Sequence, residues 1–314
     1  SAYYEGGSRE KRFWGSYDAV AQTEDAEAYI RNHADDTPFL LVLSWGPPHA
    51  PYETAPEKYR ALYRPEAVEL RPNVPAEDAE EAREWLAGYY AHCTALDDCM
   101  GRLLRTLDAC GLAEDTILVF TSDHGDMLGS QGHTKKQRPW EESIRVPFLL
   151  RYPGMDGWQS RETDAFIDAQ DVMPTLLGLC GIDVPDSVEG LDFSEHIAGG
   201  KDPSGGMALL TCPHPFGQWA KKAFGGKEYR GIRTKQYTYV RDLNGPWLLY
   251  DNENDPYQQK NLVDGPEMAH IQDDLERILS CELEAQNDAF LPGMEYIRRW
   301  GYTIDEDGTV PYTS

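Results

Sequence analysis

The sequence predicts an α/β fold in two parts: a mainly parallel sheet flanked by helices over residues 1–205, and a small antiparallel subdomain with a closing helix over residues 206–314. Three observations carry this. Short, continuously apolar runs at 38–44, 116–122 and 148–152 have the character of strands buried on both faces. Between them lie segments whose apolar residues recur every three or four positions, as on one face of a helix. After residue 206 come four short runs rich in β-branched and aromatic residues, separated by turn residues, which is the pattern of an antiparallel sheet.

In chain order, residues 1–16 are aromatic and glycine-containing without a period and read as an irregular entry segment. Tyr17 to Ala34 reads as a helix, with Thr23 able to cap its main part and acids in the turn that follows. Pro38 to Ser44 is a strand, and Trp45-Gly46-Pro47-Pro48-His49-Ala50-Pro51 is a loop that its prolines keep from being helical. Residues 52–83 form an acidic, proline-punctuated surface excursion. Glu84 to Gly111 is a long helix with Trp85, Tyr89, Leu96, Met100, Leu103 and Leu107 on its core stripe, a solvated Asp97-Asp98 pair and Gly111 as C-terminal cap. Phe148 to Tyr152 is the third strand, and a helix from Asp171 to Cys180 follows. Residues 183–206 connect to strands at 207–211, 229–233, 236–241 and 247–250, and Pro266 to Phe290 is the closing helix.

With 314 residues, 40% of them hydrophobic, the chain can bury a substantial core. Its formal net charge of -25 argues against nucleic acid or an anionic membrane as partner. No window approaches eighteen consecutive apolar residues, so no transmembrane helix is expected. The six cysteines have no C-x-x-C pair or zinc-type spacing and read as free thiols, which leans toward a reducing compartment. The expected protein is soluble, cytoplasmic or periplasmic.

The chemistry concentrates in residues 116–147. Asp123 and His124 stand at the carboxyl end of an apolar strand, where open α/β sheets gather their ligands, and carboxylate oxygen suits a hard divalent cation. An Asx-type turn capping the next element accounts for the same residues. Beyond them, His133, Lys135, Lys136 and Arg138 form a cationic knot in an otherwise acidic chain. This is either an anion pocket or a basic loop paired with neighbouring acids. His49, between prolines at another strand's end, is held as an imidazole for proton transfer or anion contact would be, and a histidine in a surface turn accounts for the same loop. His214 and Arg233 are further candidates for gripping an anionic or sugar-like substrate, alongside Arg230, Arg298, Arg299 and Trp300, though each taken singly is more often a surface or packing residue.

The run S-D-H-G (122–125), Lys136 and W-E-E-S-x-R-V-P (140–147) closely resembles the corresponding segment of the sulfatase family, in the alkaline-phosphatase-like superfamily. So do S-x-x-x-P-H-x-P (44–51), D-x-x-P-T-L-L (171–177) and the L-Y-D…D-P…N-L ending (249–262). The resemblance implies an alkaline-phosphatase-like sheet, a calcium or magnesium ion on Asp123 and His124, sulfate contact by Lys136, and His49 at the sulfate or the leaving oxygen. Lys135, Arg138, His214 and Arg233 are secondary substrate-binding candidates. The implied activity is metal-dependent hydrolysis of a sulfate ester in a sulfated small molecule or glycan. The same loop serves phosphonate monoester and phosphodiester hydrolases of the superfamily, and a non-catalytic module that binds sulfated ligands is the third reading.

The resemblance spans the carboxyl-terminal two-thirds of a typical member. Its C/S-x-P-x-R signature, whose Cys or Ser becomes the formylglycine nucleophile, is absent: none of the 21 prolines is followed two residues later by Arg. The expectation is a fragment, inactive by itself, with formylglycine on a missing amino-terminal segment. Apolar strand faces would then be uncovered, and the chain would pack against that missing half, a second copy or another chain.

Overall fold

Residues 2–33, 37–155, 157, 159–220, 225–306 and 309–310 are described by the structure, a computed structural model. The chain folds as two units, one of residues 1–120, 128–133 and 149–158 and the other of residues 121–127, 134–148 and 159–314.

In the first unit, β1 (Ala2–Tyr3) pairs antiparallel with β2 (Arg12–Phe13), and α1 (Asp18–Asn32), α2 (Glu57–Arg60) and α3 (Ala79–Ala109) follow. Thr23 is not a cap of α1. It is fully buried inside the helix, and its hydroxyl donates to the Ala19 carbonyl at 2.6 Å. Ala34, the expected end of this helix, lies outside the described residues.

Helix α3 begins five residues before the expected start, and Gly111 turns the chain out of it at φ +70°, where Leu112 N–H closes on the Leu107 carbonyl at 2.9 Å. Its apolar stripe packs on α1: Leu96 and Cys99 meet Ala19, while Leu103 and Leu107 meet Ala26 and Ile30. Arg102 ties the pair with a two-pronged hydrogen bond to the Glu27 carboxylate at 2.9 and 3.0 Å.

The run 38–44 is extended but is not a strand. Phe39, Leu41 and Leu43 pack into the α1–α3 core, whereas Leu40 and Val42 are 79% and 80% exposed. The period of two is therefore present, but no neighbouring strand among the described residues supplies a hydrogen-bonding ladder. Strands β3 (Leu118–Thr121) and β4 (Phe148–Arg151) form a two-stranded sheet. They are half-buried rather than covered on both faces, with Leu149 63% exposed.

The second unit holds α4 (Glu141–Ile144), α5 (Val172–Leu179), α6 (Ser194–Ile197) and an antiparallel sheet. That sheet runs in the order β5 (Met207–Cys212), β6 (Tyr229–Thr234), β7 (Tyr237–Asp242) and β8 (Gly245–Asp251), followed by α7 (Ala269–Ala285) and α8 (Gly293–Arg299). Both faces of this sheet are used, and the alternation along each strand decides which residue goes where. Ile232, Tyr239 and Leu249 pack against Leu275, Leu279 and Leu283 of α7. On the other face Leu210, Tyr229, Val240, Leu248 and Tyr250 surround Met127 and Trp140. The expected closing helix stops at Ala285, and the short α8 was not anticipated.

All six cysteines are free thiols, with Cys99 and Cys212 buried. Among the described residues no helix is long and apolar enough to cross a membrane.

Candidate functional site

Trp140 anchors the loop that carries the candidate metal ligands. Its ring is buried on the antiparallel sheet, stands edge-on to Trp247 with centroids 5.8 Å apart, and its indole N–H donates to the Tyr250 hydroxyl at 3.1 Å. The next residue starts α4, and Glu141 N–H donates to the side chain of Gln258, itself 1% exposed, at 3.1 Å. The carboxyl-terminal motif thus fixes α4 from below through Tyr250 and Gln258. In turn α4 fixes the metal loop, because Gly125 N–H donates to the Ser143 carbonyl at 2.8 Å. Gly125 approaches so closely that a Cβ there would collide with the Glu142 carbonyl.

Asp123 and His124 meet at this docked turn. Asp123 Oδ1 accepts from His124 N–H at 3.0 Å and from the Ser122 hydroxyl at 3.4 Å. The Nδ1 atom of His124 lies 2.8 Å from the Gly125 carbonyl. A carbonyl only accepts, so Nδ1 carries the proton and the neutral ring keeps its lone pair on Nε2. That Nε2 is 3.5 Å from Asp123 Oδ2, and the Asp123 side chain is 85% exposed. Two donor atoms at this separation can share one cation with bonds of about 2.0–2.6 Å. The pair fits part of a divalent metal site. Among the described residues no group of three or more His, Cys, Asp or Glu side chains completes one.

The basic loop folds back beside this turn. Lys135 N–H donates to Asp126 Oδ1 at 2.8 Å and its carbonyl accepts from Met127 N–H at 2.8 Å. Lys135 and Gln137 both take positive φ, +63° and +66°, so the chain reverses on either side of Lys136. Burial pulls the Lys136 ammonium below its ordinary pKa, against the opposing pull of Asp123 and Asp126, which puts all three in one electrostatic neighbourhood.

The other cationic candidates have structural partners. Arg138 is 2% exposed, donates to the Gly225 carbonyl at 2.8 Å and lies over the Trp219 ring at 4.2 Å. Arg233 is paired with Glu141 at 2.6 and 3.3 Å, and Arg230 is buried against Asp288. His214 lines a separate aromatic cavity.

His49 belongs to the first unit. It is exposed at the mouth of a cavity of about 530 Å³, which Tyr17, Asp18 and His92 also line. His49 N–H donates to the Gly46 carbonyl at 3.2 Å and Nδ1 lies 2.8 Å from the Ala50 carbonyl, so here too Nε2 carries the lone pair of the neutral ring. Behind it, buried His92 accepts from the Tyr17 hydroxyl at Nδ1, 2.6 Å, and faces the Pro51 carbonyl with Nε2 at 3.3 Å. Sequence reasoning missed His92, Tyr17 and Gln258. The available signal for His92 was its place on the 85-89-92-96 stripe of α3, a polar residue at a core position.

Compared with known proteins, residues 1–182 match the profile of the Sulfatase family, and residues 129–286 match the one described as N-sulphoglucosamine sulphohydrolase, C-terminal. An ulvan-active sulfatase of Formosa agariphila is 42% identical over 314 residues, covering 99% of this chain and 61% of that protein. The crystal structure of a putative sulfatase, yidJ, from Bacteroides fragilis superimposes with a TM-score of 0.79 at 30% identity, covering 90% of this chain and 61% of that one. A phosphonate monoester hydrolase of Agrobacterium radiobacter has a TM-score of 0.72 at 26% identity, covering 96% and 66%. These neighbours share the alkaline-phosphatase-like fold expected from the sequence, and this chain spans about three-fifths of their length. With its metal-type turn docked on α4 and both halves of its length matching the family's profiles, the chain belongs to the sulfatase family.

Proposed function

We propose that the protein of which these residues are part hydrolyses a sulfate ester of a sulfated sugar. The observation that carries this is the 3.5 Å approach of His124 Nε2 to Asp123 Oδ2 on a turn whose electrostatics also include Lys136. Members of the family in general use a divalent metal and formylglycine. Here Asp123 and His124 would hold the metal, for which we favour calcium over magnesium, and it would supply Lewis-acid polarisation of a sulfate oxygen.

The remaining roles fall to the chain's own residues. Lys136 binds a sulfate oxygen and neutralises charge that grows in the transition state, where a half-buried ammonium acts more strongly than one in open water. His49, with its Nδ1 proton committed to Ala50, uses Nε2 to give or take the proton of the leaving oxygen. Lys135 stands beside Lys136 as a secondary contact, and His214 serves the substrate from its own cavity. Arg138 and Arg233 act through the positions they hold rather than on the substrate. The formylglycine nucleophile comes from polypeptide outside these 314 residues.

A sulfated sugar is supported by the match to an N-sulphoglucosamine sulphohydrolase C-terminal region and by the ulvan-active relative. Phosphonate monoester hydrolysis is the second reading, favoured by the Agrobacterium neighbour but at lower identity. Turnover of an aryl sulfate, an aryl phosphate and a phosphonate monoester by the complete protein separates them: sulfate hydrolysis dominant supports the first, phosphonate dominant the second. Binding of sulfated glycan without any turnover leaves the non-catalytic module.

A further inference from the structure

A cavity of about 420 Å³ opens in the second unit, lined among others by His214, Phe216, Tyr296, Trp300 and Tyr302. Three of these aromatics are unusually open to water: Trp300 is 61%, Tyr302 56% and Phe216 49% exposed. Exposed aromatic rings grouped around a hollow give a flat apolar platform with polar edges, the surface that stacks on the faces of a flat or ring-shaped ligand. His214 adds a second feature. Both its ring nitrogens are out of contact with solvent and have no hydrogen-bond partner among the described residues. A neutral imidazole has one nitrogen that accepts and one that donates, and leaving them unmet costs about 1–3 kcal/mol. A hydroxyl, donor and acceptor at once, is the group that meets either tautomer.

The cavity is joined to the candidate sulfate site by a specific clamp. Phe216 N–H donates to Gln137 Oε1 at 2.9 Å, and the Phe216 carbonyl accepts from Gln137 Nε2 at 3.2 Å. Gln137 directly follows Lys136, so the amide pair sets one wall of the cavity at a fixed place relative to the sulfate-binding lysine. Among the described residues that line the cavity there is no Lys or Arg, and the chain as a whole carries -25. Those described residues offer a second sulfated ring no counter-charge.

We propose that this cavity is a subsite for a neutral, unsulfated pyranose ring next to the sulfated one, stacked on Trp300 and Tyr302, so that the preferred substrate is a sulfated oligosaccharide rather than a single-ring sulfate ester. The inference rests on the sulfatase reading for the neighbouring site but can fail separately from it.

The test uses Trp300→Ala and Tyr302→Ala, whose exposed side chains leave the core intact, in the complete protein. The probes are 4-nitrophenyl sulfate and a tetrasaccharide with one sulfated ring. The expected result is a fall of about tenfold in kcat/KM for the tetrasaccharide, carried by KM, with 4-nitrophenyl sulfate unchanged. Equal losses on both probes, or no loss on either, would overturn the subsite. Calorimetric titration with the desulfated tetrasaccharide reads the cavity alone: weaker binding to Trp300→Ala supports the subsite, and equal or no binding to both proteins overturns it. Failure of the wild type to turn over any sulfate ester sinks the sulfatase reading and leaves that titration to decide the cavity.

Discussion

The Tyr17 hydroxyl donates to Nδ1 of His92 across 2.6 Å, and the other nitrogen of the same buried ring faces the carbonyl of Pro51, two residues from His49. One imidazole therefore couples the start of α1, the middle of α3 and the loop that carries the candidate proton-transfer residue. Burial depresses the basicity of His92. A base with a lowered folded pKa adds stability that is complete above its unfolded value, about 6.5, and is lost as pH falls through the folded value. Thermal melts between pH 7.5 and 5 should accordingly show a steeper acid loss for the wild type than for His92→Gln. His92→Ala should cost about 2–4 kcal/mol at neutral pH, from a cavity and an unmet Tyr17 hydroxyl. Parallel melting curves for wild type and His92→Gln would remove the coupling.

Asp168 behaves in the opposite sense. Burial and the nearby Asp171 push its carboxyl up to about 6, and the two aspartates cap each other's backbone at the start of the turn leading to α5. A raised folded pKa means that stability is full below the unfolded value of about 3.8 and is lost as pH rises through about 6. Asp168→Asn keeps the cap and removes the charge. It should raise stability at pH 7.5 by up to about 3 kcal/mol, with the gain fading toward pH 4. A variant no more stable than wild type at pH 7.5 contradicts this.

Gly125 is where the candidate metal turn touches α4. Gly125→Ala forces a methyl group against the Glu142 carbonyl, so the turn must lift away. Expected are a stability loss of about 1–3 kcal/mol and a loss of turnover out of proportion to it, because Asp123 and His124 move with the turn. Activity within twofold of wild type would show that the docking does not matter.

Leu40 and Val42, 79% and 80% exposed on a run whose alternate residues are in the core, are an apolar ridge of the kind that folded proteins cover. We expect the 314-residue chain by itself to self-associate at micromolar concentration in sedimentation velocity, and Leu40→Ser/Val42→Ser to shift it toward monomer. A wild type that sediments as a single, concentration-independent monomer removes the need for any cover.

How much was legible in the sequence follows from where each element finds its partners. Strands β5 to β8 came out within about two residues because an antiparallel sheet packed on both faces writes a period of two along each strand, and its turns carry their own residues. The Asp123-His124 turn and Lys136 are singled out by the resemblance of their motif, whereas the close approach of Gly125 to Glu142 is a contact that no local pattern contains. The run 38–44 has strand chemistry without strand pairing, since pairing depends on neighbours rather than on the segment. Arg138 and Arg233 stand out in the sequence as cations, whereas their contacts with Trp219 and Glu141, distant in the chain, do not.

The central claim is that Lys136 and the Asp123-His124 pair act together on a sulfate ester. The most direct measurement is kcat/KM of the complete protein on 4-nitrophenyl sulfate for wild type, Lys136→Ala and Asp123→Asn, with 4-nitrophenyl phosphate alongside. The account predicts sulfate as the better substrate and losses of about 100-fold or more for either substitution, with folding unchanged by circular dichroism. Sulfate turnover that survives both substitutions within a few-fold would contradict it.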